Sequence, residues 1–209
     1  MQALNPALAT LAAYLIGSLS FAVLVSRLMG LADPRTYGSK NPGATNVLRS
    51  GSKSAAIVTL LLDALKGWLP VVAVQQWGEP FGLGNGTVAL VGLAAFLGHL
   101  NPVFFRFQGG KGVATPAGVI LAFNPWLGLA SLLTWVIIAF FFRYSSLASI
   151  VTAVFAPAYF LLGGGIAWAA PGVVVLSLTV MSVLLVWRHA ENIDRLVAGK
   201  ESKLGAKKA

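Results

Sequence analysis

The longest uncharged stretch of the sequence runs 44 residues, from Tyr144 to Trp187. A helix crosses the roughly 30 Å core of a bilayer with about 20 apolar residues, so this run is long enough for two crossings. Residues 1–26, 80–105 and 112–142 carry no charge either. Charged residues are 10% of the chain and hydrophobic residues 57%, whereas a soluble domain has about 25% charged. An ordinary soluble domain is excluded. So is a disordered chain, which needs low hydrophobicity. The chain has no cysteine, 2 histidines and 6 carboxylates. Disulfides, thiolate nucleophiles and Cys-based metal sites are ruled out, and no metal or cofactor is expected.

The first span is expected at 6–28. Only Met-Gln-Ala-Leu-Asn-Pro precedes its apolar run, without the basic start of a signal peptide, so it reads as a retained span. A second span over 54–77 carries Asp63 and Lys66. Gly163-Gly164-Gly165 divides the long run into spans near 145–162 and 168–187. Asn124-Pro125 divides 112–142, because the residue before proline avoids helix. The piece 113–123 would rise only about 17 Å. It is therefore expected to tilt, extend or re-enter.

Basic residues near short loops mark the cytoplasmic side. With the N-terminus outside and 112–142 crossing twice, the cytoplasmic segments hold 14 of the 15 Lys and Arg. The exception, Lys66, lies inside a span. A single crossing of 112–142 would put the basic C-terminal residues outside. The expected fold is thus an all-α integral membrane protein, a polytopic bundle of seven transmembrane helices with N-terminus outside and C-terminus cytoplasmic. Five spans remain if 113–142 only dips in. Residues 1–209 form one membrane-embedded domain, with 196–209 a flexible basic cytoplasmic tail. Topology accounts for the net charge of +9, so the bilayer is a partner and nucleic acid is not.

Three polar segments share the inner face. The first, Tyr37 to Arg49, offers Ser39, Asn41, Gly43, Thr45 and Asn46 beside the Arg49 guanidinium. Turns with consecutive free N–H groups bind anions, and Arg adds bidentate phosphate geometry. An ordinary loop with turn residues and inside charge fits as well. The second runs from Gly98-His99 to Gly109-Gly110-Lys111-Gly112. Its glycines permit close backbone approach and Lys111 supplies a point charge, although no Walker A pattern is matched. His99 fits a packed, hydrogen-bonded core position. The third, Arg188 to Glu201, would place His189, Asn192, Arg195 and Gly199 on one face of a continuous helix. A solvated helix against anionic lipid is the plainer reading. His189 and Asp194 also read as His-x-x-x-x-Asp, but five residues turn a helix about 140°, so the two side chains would diverge. Asp63 and Lys66, three apart within a span, can pair with each other. Intramembrane charge is nonetheless a functional hypothesis by default.

Taken together, Gly38-Ser39-Lys40-Asn41-Pro42-Gly43-Ala44-Thr45-Asn46-Val47-Leu48-Arg49, Gly98-His99 through Phe107-Gln108-Gly109-Gly110-Lys111-Gly112-Val113-Ala114-Thr115, and His189-x-x-Asn192-Ile193-x-Arg195-Leu196-x-x-Gly199-x-Glu201 resemble the bacterial acyl-phosphate:glycerol-3-phosphate acyltransferases, the PlsY family. Each string alone is weak; their order and spacing match over nearly the whole chain. One departure is Lys40, where many relatives have glycine.

The resemblance implies transfer of a fatty acyl group from acyl phosphate to the 1-hydroxyl of glycerol 3-phosphate, giving lysophosphatidic acid and phosphate at the cytoplasmic face of the bacterial inner membrane. By the same resemblance, Ser39, Arg49, His189 and Asn192 are catalytic. Asn41, Gly43, Thr45, Asn46, Gly109, Gly110, Lys111 and Gly112 bind substrate, and Glu201 holds the third segment in place. Either His189 or the departing phosphate could take the proton. The physics agrees: two anionic substrates require two cationic positions, and an activated donor needs no Ser or Cys nucleophile. A transporter of small phosphorylated anions shares the composition, but it would need polar access from outside, where the loops carry only Glu79.

Overall fold

A computed structural model describes residues 4–205. Ten α-helices follow in order: α1 Asn5–Gly17, α2 Phe21–Leu28, α3 Ala44–Leu48, α4 Lys53–Trp77, α5 Asn85–Leu100, α6 Ala114–Phe123, α7 Pro125–Phe142, α8 Ser145–Gly163, α9 Gly172–Arg188 and α10 Ala190–Val197. Among the described residues there is no β-strand, only one isolated bridge between Gly164 and Trp168. In lipid every backbone polar group needs an internal partner, and helices meet that need within one segment. Among the described residues four stretches are long and apolar enough to cross a membrane, α4, α7, α8 and α5 continued to Phe105; the bent pairs α1–α2 and α9–α10 raise the number to 6. The chain is an all-α integral membrane bundle.

Helix α5 is the axis of the bundle, packed against α1, α4, α6 and α9. Its Phe96, Ala95, Val91 and Leu100 are fully buried. Helix α7 is the opposite case and turns Leu132, Leu133, Ile137, Phe140 and Phe141 outward. Between helices in lipid, small residues let backbones approach closely. Two reciprocal glycine pairs do so here. A Cβ on Gly17 would strike the Ala95 carbonyl, and one on Gly98 the Tyr14 carbonyl, which seats α1 on α5. Gly67 and Gly118 meet the Thr115 and Ala64 carbonyls in the same way, which seats α4 on α6.

The breaks fall at identifiable residues. Asn124 is extended at φ −158° and its side chain caps α7, accepting from Trp126 N at 2.9 Å and Leu127 N at 3.0 Å. Helix α6 has 10 residues, a rise of about 15 Å. The stretch expected to span as 6–28 is bent by 43° between α1 and α2. The third polar segment is not the continuous helix expected, because the chain turns by 56° between α9 and α10, with His189 at the bend. There the His189 N–H bonds Val186 O at 2.9 Å instead of the Leu185 carbonyl one residue earlier. The imidazole Nδ1–H takes the Leu185 carbonyl in its place, at 2.8 Å.

Long-range hydrogen bonds gather the polar loops at one end of the bundle. Arg49 donates to Ser202 Oγ (3.0 Å), Arg143 to Leu204 O (2.9 Å), and Arg188 to Gly110 O (3.1 Å). The run 114–142 therefore leaves from that end and returns to it as an α6–α7 hairpin. At the opposite end Asn5 Nδ2 donates to Phe81 O at 3.0 Å. In the segment expected as a tail, Leu204 N also bonds Arg143 O at 2.6 Å; residues 206–209 lie outside the described residues.

Candidate functional site

The first polar loop is shaped by Asn46. Its amide donates to Pro34 O at 2.6 Å and Tyr37 O at 3.2 Å, and its oxygen accepts from Ser39 N at 3.1 Å. The side chain is buried and its bonds go to backbone, so it builds the loop. Ser39, Thr45 and Arg49 are exposed. Gly43 caps the short helix α3, and Asn41 lies against it. Gly38 is left-handed at φ 59°, and a Cβ there would meet Asn46 Oδ1 and, at 3.3 Å, Arg49 Cδ. The Arg49 stem thus lies along the loop it serves. Lys40 is left-handed too, at φ 55°. Glycine takes that conformation freely, which explains the glycine of the resembling sequences.

The second loop folds back on the end of α5. Gly110 N donates to His99 O at 3.1 Å. Arg188 from α9 reaches across and donates to Leu100 O at 3.2 Å and Gly110 O at 3.1 Å. Gly112 turns the chain into α6 at φ 74°, where a Cβ would enter the Phe96 ring. Lys111 projects from this loop and donates to Asn192 Oδ1 of α10. Asn192 in turn donates to Glu201 Oε1 at 2.6 Å, and Glu201 also accepts from Ser146 Oγ and Arg195 Nε, each at 2.7 Å. A chain of bonds thus runs Lys111–Asn192–Glu201–Arg195. Glu201 reaches back to α8 and α10 and closes it.

Charge pairing separates the cations of this face. Arg35 is paired with Asp33 and Arg195 with Glu201. Arg49, Lys111 and Arg188 have no carboxylate within 4.0 Å among the described residues. Arg49 leans on a serine hydroxyl and Lys111 on an amide oxygen. Their charge is held in place without being neutralised. Burial, together with the Arg195 charge, pushes the Lys111 ammonium below its ordinary range, against the pull of Glu191 and Glu201. A bound anion would offset that penalty. Burial alone would raise the Glu201 carboxyl, but hydrogen bonds from Ser146, Arg195 and Asn192 together hold it below its ordinary value.

The family model described as glycerol-3-phosphate acyltransferase matches residues 7–199. The chain belongs to the glycerol-3-phosphate acyltransferase family. A glycerol-3-phosphate acyltransferase of Albidiferax ferrireducens is 65% identical over 207 residues, covering 99% of this chain and 92% of the relative. One of Burkholderia mallei is 65% identical over 206 residues, covering 96% of each. The crystal structure of PlsY (YgiH), an integral membrane glycerol 3-phosphate acyltransferase in its glycerol 3-phosphate form, superposes with a TM-score of 0.88 at 39% identity over 96% of each chain. Its lysophosphatidic acid form gives 0.86 at 38% identity, again over 96% of each. The protein is an acyltransferase and a multi-pass membrane protein.

In this glycerol-3-phosphate acyltransferase, the three polar segments come together through the third and the residue after it: Asn192 accepts from Lys111, and Ser202 from Arg49. His189 and Asp194 form no dyad: the imidazole is buried on Leu185 O and Asp194 is exposed. His99 is packed and hydrogen-bonded through its backbone, as its position in an apolar run suggested. Arg188 and Ser146 are the residues that sequence reasoning passed over. Arg188 had counted as inside charge in the tail, and one serine in an apolar run carries no signal.

Proposed function

We propose that this acyltransferase moves a fatty acyl group from acyl phosphate to the 1-hydroxyl of sn-glycerol 3-phosphate, releasing 1-acylglycerol 3-phosphate (lysophosphatidic acid) and phosphate, in the first acylation of bacterial phospholipid synthesis. The observation that carries this reading is the pair Arg49 and Lys111, two cations on one face held by neutral side chains, Ser202 and Asn192. Two phosphates need two such positions. Solved relatives in glycerol 3-phosphate and lysophosphatidic acid forms support the acceptor and the product.

Lys111 and the backbone of Gly109, Gly110 and Gly112 hold the glycerol 3-phosphate. Ser39 and Arg49, with the Asn41, Gly43 and Thr45 turn, hold the phosphate of the donor. Asn46 and Asn192 act by position, one shaping the first loop and the other aiming Lys111. Leu185 of α9 supplies the carbonyl that holds His189.

The acceptor hydroxyl oxygen attacks the acyl carbonyl carbon and the new ester bond forms. The bond from that carbon to the phosphate oxygen breaks, and phosphate leaves with the electron pair. With Nδ1–H donated to Leu185, Nε2 of His189 is the ring atom left to accept the hydroxyl proton, which it returns to the departing phosphate. Orientation and charge stabilisation supply most of the rate. No covalent intermediate is required.

The protein lies in the bacterial inner membrane as one unit over 1–209. With the short helix α6 counted as a crossing beside the other six it has seven spans, N-terminus outside, with its site and the basic 196–209 segment on the cytoplasmic side, where anionic lipid faces that charge. The test is the purified chain in vesicles with acyl phosphate and labelled glycerol 3-phosphate, without acyl-CoA or carrier protein. Wild type should give lysophosphatidic acid, and Arg49→Ala and His189→Ala should lose it. Label crossing sealed vesicles without product would overturn the reading.

A further inference from the structure

Asp63, Lys66 and His99 form a cluster inside the bundle that the reaction above does not use. All three side chains are buried. Intramembrane charge is costly and is retained for a reason. Lys66 Nζ lies 2.7 Å from Asp63 Oδ1, a charge contact without hydrogen-bond alignment at that oxygen. Its hydrogen bond goes to Leu19 O at 2.7 Å, in the break between α1 and α2, and the ammonium sits 5.7 Å over the Phe21 ring. On the other side of Asp63, His99 Nδ1 stands 3.7 Å from the same oxygen. An ion pair three residues apart on one helix would need none of these further partners.

The far side of the His99 ring faces the phosphate loop. The three atoms nearest to a Cβ placed on Gly110 all belong to that imidazole, first Nε2, then Cε1 at 2.9 Å and Cδ2 at 3.2 Å. Gly110 also bonds His99 through the backbone, N to O at 3.1 Å. His99 is thus the floor on which the loop rests, and Asp63 and Lys66 tie that floor to α4 and to the α1–α2 break.

We propose that Asp63, Lys66 and His99 are positioning residues, a buried brace that sets the height of Gly110 and so aims the Lys111 ammonium at the acceptor phosphate. This rests on the reading of Gly109 to Gly112 as the glycerol 3-phosphate cradle. The residues touch no substrate and act through the loop. A misplacement of the order of 1 Å can cost up to about a hundredfold in rate, so the effect belongs in the kinetics rather than in the folded state alone.

Initial rates in vesicles would be measured against glycerol 3-phosphate concentration at saturating acyl phosphate, with thermal unfolding of each variant alongside. Removing one charge would strand the other, whereas removing both can be nearly neutral for folding; the informative variant is therefore Asp63→Asn with Lys66→Met. It should unfold near the wild-type temperature, yet raise KM for glycerol 3-phosphate about tenfold with a smaller change in kcat. Gly110→Ala should raise KM as well, by driving its methyl into the imidazole. His99→Ala added to Gly110→Ala should recover part of that loss, a coupling expected only for groups in contact. Wild-type kinetics in the neutral pair, or no recovery in the Gly110→Ala background, would overturn the brace. Lys111→Ala separates the two readings: if it leaves KM for glycerol 3-phosphate unchanged, the cradle assignment fails and the brace falls with it. If it raises KM while the brace variants stay silent, only the brace is lost.

Discussion

Replacing Glu201 by alanine removes the acceptor of three hydrogen bonds at once, from Ser146 Oγ, Asn192 Nδ2 and Arg195 Nε at 2.6–2.7 Å. The carboxylate side chain is 8% exposed and that of Arg195 39%, so Arg195 can turn to water while Ser146 and Asn192 are left inside. Hydrogen bonds to a charged group contribute about 1.5–3 kcal/mol each. With Arg195 largely rescued by solvent and the two others coupled, the expected loss is about 3 kcal/mol, seen as several degrees in thermal unfolding. Asn192 also loses the partner that orients its oxygen toward Lys111, so KM for glycerol 3-phosphate should rise about tenfold, a loss of about 1.4 kcal/mol. Glu201→Gln keeps one acceptor and should fall between. The acid limb follows the same logic. The folded carboxyl lies below its ordinary value of 4.5, so its contribution is complete above that pH and is lost as pH falls toward the folded value. The alanine variant should lack this acid-dependent loss. A variant with wild-type unfolding temperature and wild-type KM would refute the claim that Glu201 holds the bracket on Lys111.

Asn46→Ala deletes a buried amide that bonds Pro34, Tyr37 and Ser39 backbone. About 2–3 kcal/mol of stability should be lost together with activity, read by unfolding and turnover; activity at the wild-type level would show that the loop holds without it. Arg49→Lys keeps the charge but not the bidentate fork, so KM for acyl phosphate should rise about tenfold while the unfolding temperature holds, since among the described residues the guanidinium makes one bond, exposed, to Ser202. Gly118→Ala drives a methyl into the Ala64 carbonyl, with Trp68 N at 3.1 Å. Backbone cannot rotate away, so α4 and α6 must separate at a cost of about 2–3 kcal/mol, seen as a lowered unfolding temperature in detergent.

Local chemistry made much of the bundle legible in the chain. Uncharged runs longer than a bilayer is thick force helices, because lipid offers the backbone no partner. The 44-residue run must break, and Gly163 to Gly165 is where α8 ends. Asn124 is barred from helix by the proline after it and then caps α7 with its own side chain. The charge bias put the polar segments on one face, and their hydrogen bonds join them at one end. The bend at His189 was not legible: a helix that tightens by one bond and lets an imidazole take the freed carbonyl looks, in sequence, like a helix that continues. Nor was the division of labour among polar residues. Asn46, Asn192 and Arg188 carry the same polar groups as their neighbours in sequence, and only the fold supplies their hydrogen-bond partners, up to 88 positions away in the chain. Apolar periodicity is a property of neighbours in sequence. Which cation stays free of a carboxylate is a property of neighbours in space: Lys111 meets the Asn192 amide oxygen and Arg49 the Ser202 hydroxyl.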